Sequence, residues 1–226
     1  MLEMHSYCDI NNVKTLKILA MKNILGFILC IGLLSCTNND STTGDNVGGI
    51  TIANGCEGVT YPPWESSPHL LPFPVGKSYT IGLSNCSGEA HSEGEPDQFA
   101  IDIVMDIGTL VTASRKGTIM FVEESGDDYE ELNNMVVLRD EDGYFLMYQH
   151  LTKDGAIVEE GDFVEEGDPI GYSGASGGAS YAHLHFVASI FGEWMPPYTS
   201  YPITFRNTSP NPKSLIQGET YEALPY

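Results

Sequence analysis

Positive charge is scarce in this chain. Ten lysines and arginines stand against 31 aspartates and glutamates in 226 residues, a formal charge of −21. Such a surface repels a phosphate backbone, so nucleic acid is excluded as a partner. Adhesion to anionic lipid headgroups or polyanionic wall polymers cannot come from charge alone either. Long apolar runs are missing too, because the stretch from Ile24 to Leu34 is too short to cross a bilayer comfortably. From Phe99 onward no segment keeps a helical period for three turns, which argues against a helical fold. Histidine is rare at six residues. A hydrophobic content of 42% with 10% aromatics nevertheless suffices for the core of one domain of ordinary size plus a short appendage.

Lys14, Lys17 and Lys22 precede the apolar run, which therefore reads as the central region of an export signal. The run stops at Leu33-Leu34-Ser35-Cys36, which resembles the lipobox of bacterial lipoproteins. The resemblance implies cleavage before Cys36, acylation of its thiol, and a protein held at the cell envelope by a lipid anchor, facing the periplasm or the exterior. Met21-Lys22 would open a signal of normal length, which leaves open whether Met1 to Ala20 is an upstream extension. The alternative for the whole stretch is a buried apolar helix with an incidental cysteine. Residues 37–49 carry Ser, Thr, Asn, Asp and Gly with almost nothing apolar, the composition of a flexible tether.

Of the five cysteines, Cys8 and Cys30 leave with such a signal and Cys36 is the acylated one, so Cys56 and Cys86 remain. In an exported domain two leftover cysteines most simply form a disulfide, with two separate buried thiols as the alternative. The chain-entropy argument gives such a bridge roughly 3 kcal/mol of stabilisation.

Beyond residue 98 the chain reads as short strands, FAIDIV, TLVTA, GTIMFVE, NMVVLR, YFLMYQH, AIVE, PIGYS and LHFVAS, separated by Gly, Asp and Asn turns. The expected architecture is mostly antiparallel β, a compact sandwich or partly open barrel. VEEGD occurs twice, at Val158 to Asp162 and Val164 to Asp168, and reads as two consecutive solvated turns. The same rhythm is similar to biotinyl and lipoyl carrier domains, but those need a lysine at a hairpin tip, and neither Lys153 nor Lys213 lies in such a motif.

The chemistry lies in the histidines. On a strand, side chains at i and i+2 share a face, so His183-Leu184-His185 sends two imidazoles into one space, a geometry suited to metal binding. Asp102 lies on the opposite parity from Ile101 and Ile103, and a carboxylate inside a strand calls for a cation. His150 ends the strand YFLMYQH with the parity of Tyr148. His69, in SPHLLPF, reads as a surface or packing residue, and His5 leaves with the signal.

Taken together, FAIDI around Asp102, GTLVTASRKGTI at residues 108–119, YQHL at 148–151, and VEEGDPIGYSGASGG leading to AHLHF at 182–186 resemble the M23 family of zinc metallopeptidases, the lysostaphin-like enzymes that cut peptide cross-links in bacterial cell walls. The resemblance covers roughly Leu71 to Ala188. It implies an M23-type β fold over residues 89–226, after a signal at 1–36, a tether at 37–49 and a lead-in segment at 50–88. It also implies zinc held by His91, Asp102 and His185, with His150 and His183 doing acid–base work off the metal. In the commonest family pattern the first ligand precedes the aspartate by four residues, a place held here by Gln98, a poor zinc ligand. The segment AHSEGEPDQFAID instead resembles a longer-loop variant in which a Ser-His or His-Ser pair lies about ten residues upstream, which makes His91 the ligand. The alternative is an exposed His91 and a site that is degenerate or completed by Glu93, Glu95 or Asp97.

A zinc endopeptidase acting on peptidoglycan peptides accounts for the five-residue constellation, the export signal and the tether together. A non-catalytic relative that binds wall peptide, or that activates a separate hydrolase, is the competing expectation. The Pro- and Tyr-rich tail from Glu193 onward either closes one side of the cleft or wraps the core.

Overall fold

A computed structural model describes residues 55–190 and 194–226. The signal, Cys36 and the tether lie outside the described residues. So does the start of the lead-in segment.

Among the described residues, apart from a single 3-10 turn at Trp64–Ser66, the regular elements are strands. In chain order they are β1 (Ser78–Thr80), β2 (Ile101–Val104), β3 (Leu110–Thr112), β4 (Gly117–Glu123), β5 (Met135–Asp140), β6 (Phe145–Gln149), β7 (Leu151–Ala156), β8 (Phe163–Val164), β9 (Pro169–Ser173), β10 (His183–Ser189) and β11 (Thr220–Glu222). They form a six-stranded sheet in the order β2-β10-β6-β5-β4-β8, a three-stranded sheet β3-β9-β7 and the pair β1-β11. Every pairing is antiparallel, so the fold is mostly antiparallel β, as its short alternating segments predict. Among the described residues no helix is long and apolar enough to cross a membrane.

The large sheet is apolar on both faces. Leu184, Phe186 and Ala188 of β10 join Ile101, Ile103, Leu146 and Tyr148 in the main core, while Val187 points the other way, to Ala100, Val137, Phe145, Met147 and Tyr198. All seven residues of β10 are buried, the mark of a central strand covered on both sides. His183 and His185 share the parity of Val187, and so lie on the second face, beyond the end of its apolar cluster. Register completes the arrangement, setting His185 opposite Asp102 on β2 and opposite Gln149 on β6.

The lead-in and the tail are built into the core. Leu71 and Phe73 from one and Ile203, Phe205, Leu215, Tyr221 and Ala223 from the other pack in the main cluster, and β1 pairs with β11. The tail therefore wraps the core. The two VEEGD segments are turns of one kind: Asp162 accepts from the Glu159 amide and Asp168 from the Glu165 amide, each at 2.9 Å, with Gly161 and Gly167 at positive φ.

Two local expectations need correction. The AIVE segment is not a strand of its own, because β7 ends at Ala156 and only the Ile157 amide continues its bonding, to the carbonyl of Ile170. The Glu159–Asp162 turn then takes up the chain. His150 does not share the face of Tyr148: it has φ +61°, and this left-handed residue between β6 and β7 breaks the alternation. The Tyr148 ring is fully buried in the main core with its hydroxyl on the Ser114 amide, whereas the His150 ring stands beside those of His183 and His185 on the other face.

Candidate metal centre and cleft

Five side chains converge at the β2-β10-β6 end of the sheet. Oδ1 of Asp102 lies 2.8 Å from Nδ1 of His185 and 3.2 Å from Nε2 of His91, while Oδ2 lies 3.6 Å from Nε2 of His183. The His150 ring centre is 4.7 Å from that of His183 and 5.6 Å from that of His185. His91, only 1% exposed, is no surface loop residue, and Asp102 is 3% exposed. Gln98 faces away from this centre, its side-chain oxygen accepting from the Gly94 amide at 2.7 Å. Glu93 and Glu95 are exposed and outside the cluster. Asp97 reaches His185 from its other nitrogen, Nε2, at 3.5 Å.

The second nitrogen of each imidazole fixes its tautomer. Nδ1 of His91 meets the Ser84 carbonyl at 3.2 Å, Nδ1 of His150 the Ser176 carbonyl at 2.7 Å, and Nδ1 of His183 the Tyr181 carbonyl at 2.9 Å. A carbonyl only accepts, so these nitrogens carry the hydrogen, and in the neutral rings of His150 and His183 Nε2 keeps its lone pair. His185 is reversed, with Nε2 toward Asp97 and Nδ1 toward Asp102. Support of an imidazole by an acceptor on its far nitrogen is the usual arrangement around metal-binding histidines.

The cluster holds groups of opposite electrostatic character. Burial raises the pKa of Asp102, but hydrogen bonds from His185 and His91 outweigh it and hold the carboxyl well below its ordinary value. Burial works against a charged His185, yet Asp102 and Asp97 carry it up to about 9. Burial pushes His150 down to about 4, helped by the neighbouring His185 and His183. His183 is lowered as well, chiefly by burial. Near neutral pH the last two are free bases.

Among the described residues two groups of three could hold a cation, each with donor atoms within 4.8 Å of one another: His91, Asp102 and His185, or His150, His183 and His185. The first fits better. It contains a buried carboxylate, which needs a positive partner, and its two nitrogens and one oxygen suit a borderline divalent ion with an open fourth position.

Tyr181 was not legible as a site residue. Its ring stacks on His183 at 4.4 Å, and its hydroxyl donates to Oδ2 of Asp102 at 3.3 Å. Its place two residues before His183 is the only sequence signal. Gly82 leaves it room, since a Cβ there would come within 2.5 Å of the Tyr181 hydroxyl oxygen. Gly174 allows the loop before β10 to pass against the Thr152 amide and Asp128, where any side chain would collide. Cys56 and Cys86 are joined in a disulfide.

Residues 97–197 match the profile described as Peptidase family M23. The chain is 32% identical over 124 residues to an uncharacterized metalloprotease of Buchnera aphidicola subsp. Baizongia pistaciae, covering 54% of this chain and 31% of that protein. It is 35% identical over 88 residues to lysostaphin of Staphylococcus simulans, covering 39% of this chain and 17% of that protein. The matched stretches thus span less than a third of the length of these curated relatives. The solved structure of S. simulans lysostaphin aligns with 54% of this chain and 47% of its own at 27% identity, with a TM-score of 0.44. The matched segment carries Asp102, His183 and His185 on β2 and β10 and His150 between β6 and β7, so residues 97–197 are those in which this chain is similar to peptidase family M23.

Proposed function

We propose that this chain is a zinc-dependent endopeptidase that hydrolyses peptide bonds in the cross-links of bacterial cell-wall peptidoglycan. The observation that carries the reading is the convergence of four histidines and one buried aspartate: Nε2 of His91 and Nδ1 of His185 face Asp102, and the imidazoles of His150 and His183 stand beside them. The similarity to lysostaphin supports the substrate class.

His91, Asp102 and His185 would hold zinc. When bound, the ion supplies a Lewis acid for the scissile carbonyl and lowers the pKa of a water toward neutrality. His183 and His150 act as proton carriers, each through its free Nε2, because their depressed pKa values keep them unprotonated near neutral pH. One accepts a proton from the attacking water and then gives it to the leaving amine, while the other, whose free Nε2 can only accept, orients the water through its second hydrogen. Tyr181 holds the His183 ring by stacking and accepts its Nδ1–H at the main chain.

Envelope localisation belongs to the same reading. Cys36 would carry acyl chains and residues 37–49 would tether the domain to the membrane. Membrane fractionation of Cys36→Ala should show release or blocked processing. Unchanged partition with the same lipid label would rule out the anchor.

The central test joins metal analysis of the purified protein to digestion of purified wall sacculi. We expect about one zinc ion per chain, release of new amino groups from sacculi, loss of that release on chelation and recovery on adding zinc. A protein that binds sacculi but holds no zinc and releases no amines would be a wall-binding module or an activator of another hydrolase.

A further inference from the structure

The four cleft histidines are not supported alike. His91, His150 and His183 each have a main-chain carbonyl behind them, whereas His185 has a carboxylate, Asp97, 3.5 Å from its Nε2. The Asp97 oxygen that faces His185 also accepts a hydrogen bond from the hydroxyl of Tyr198. The side chain of Gln149 bonds to that hydroxyl in turn. Nδ2 of Asn133 donates to Oε1 of Gln149 at 2.7 Å, and Oδ1 of Asn133 accepts from the His150 amide at 3.0 Å. A continuous polar chain thus runs from His185 through Asp97, Tyr198, Gln149 and Asn133 to the backbone of His150.

Its members come from distant parts of the sequence, and each is fixed independently. Asp97 and Tyr198 are 101 residues apart. Their segments are stitched together by the Ser200 amide on the Pro96 carbonyl at 3.3 Å and the Phe99 amide on the Ser200 hydroxyl at 3.3 Å. Tyr198 is buried at the edge of the second apolar cluster, beside Met147 and Val187. Gln149 is held directly opposite His185 by strand register. Asp97 is not itself a member of either metal-binding group: it faces Nε2 of His185, while Asp102 faces Nδ1 of the same ring.

A carbonyl behind an imidazole sets its orientation, while a carboxylate adds a full negative charge and makes the ring a stronger donor to a cation. We infer that Asp97, held in place by the Tyr198 hydroxyl, is the positioning residue that sets the metal affinity of His185, so that the C-terminal tail completes the metal centre from behind. The inference rests on the zinc reading above. It goes beyond the family match, which ends at residue 197, one short of Tyr198.

The test is zinc affinity of the full-length chain, measured by competition with a chromophoric chelator. Asp97→Asn keeps the shape and removes the charge, and it should weaken zinc binding about 10- to 100-fold, the cost usual for such outer partners. Tyr198→Phe deletes one hydroxyl and should show a smaller loss in the same direction. The cobalt-substituted protein supplies a second readout, since its visible d–d bands should shift in Asp97→Asn if the donor strength of His185 has changed. Zinc affinity and cobalt spectrum equal to wild type in Asp97→Asn would overturn the inference. If that variant does not fold, Tyr198→Phe decides in its place, and wild-type values there overturn the inference equally. A wild-type chain that binds no zinc would instead sink the proposed function, so the two failures are distinguishable.

Discussion

His183 and His185 lie two residues apart on one face of β10 and turn opposite nitrogens toward Asp102. Nδ1 of His183 is taken by the Tyr181 carbonyl at 2.9 Å, which leaves Nε2 to face Oδ2 of Asp102 at 3.6 Å. His185 presents Nδ1 to Oδ1 at 2.8 Å. Equal parity therefore does not mean equal roles. His91→Ala, Asp102→Ala and His185→Ala should each lose bound zinc and activity together. His183→Ala and His150→Ala should keep near-stoichiometric zinc and lose on the order of 10²-fold or more in turnover. Metal analysis beside a peptidase assay reads both effects. Zinc lost from His183→Ala and His150→Ala but kept by His91→Ala and Asp102→Ala would move the metal to the three-histidine group.

The pH profile follows from the same two free bases. A base must be unprotonated to work, and burial holds His150 down to about 4 and His183 below its ordinary value. A cation bound nearby acts in the same direction. Activity should therefore persist as pH falls through the ordinary histidine range and fail only toward the depressed values, provided zinc remains bound. The profile of kcat/KM at saturating zinc checks this. An acidic limb at or above an ordinary histidine pKa would remove both imidazoles from the base role.

What the sequence made legible was short-range. Strand parity places His183 with His185, and the buried carboxylate of Asp102 announces a cation, because both facts depend on alternation over a few residues. The Asp97–Tyr198 contact had no such signal, since it depends on where the tail returns after β10. His150 was assigned to the right cleft by its motif but to the wrong face by parity, because one residue with φ +61° cancels alternation and nothing local requires it. His91 was readable only through its loop resemblance. Its burial comes from the folding back of residues 84–98, where the Ser84 carbonyl meets its Nδ1 and the Cys86 amide bonds to the Gln98 carbonyl at 2.8 Å.

That loop makes the disulfide matter to the site. Cys86 stands two residues after Ser84 and five before His91, and its bond to Cys56 closes a segment with a sequence separation of 30. Replacing both cysteines by serine should lower stability by roughly 3 kcal/mol through the freed unfolded chain. It should also weaken zinc binding, because His91 would have to be ordered at the moment of binding. Urea unfolding and chelator competition measure the two effects separately. Lower stability with unchanged zinc affinity would show that the backbone bond between Cys86 and Gln98 suffices to hold the loop.

His69 provides an acid-sensitive element away from the cleft. It is 2% exposed, its Nδ1 has no hydrogen-bond partner among the described residues, and its ring lies 6.4 Å from that of Tyr201 and 6.5 Å from that of Phe205. Burial lowers its pKa to about 3, with the Arg115 and Arg206 guanidiniums adding to the shift. The folded protein therefore keeps His69 neutral down to that value, while the unfolded chain takes up a proton once pH falls below an ordinary histidine pKa of about 6.5. In that window the unfolded state binds more protons, so stability falls as pH falls. Between pH 6.5 and 5 the loss from this one group is about 2 kcal/mol. His69→Phe places a ring of similar shape among the same aromatics and removes the titration. Urea unfolding of both proteins in chelator, at pH 7 and pH 5, should show the wild type losing about 2 kcal/mol more than the variant, with every other titrating group cancelling in the comparison. Equal losses would mean that the His69 site admits the proton without penalty, which a histidine enclosed this completely beside two guanidiniums should not do.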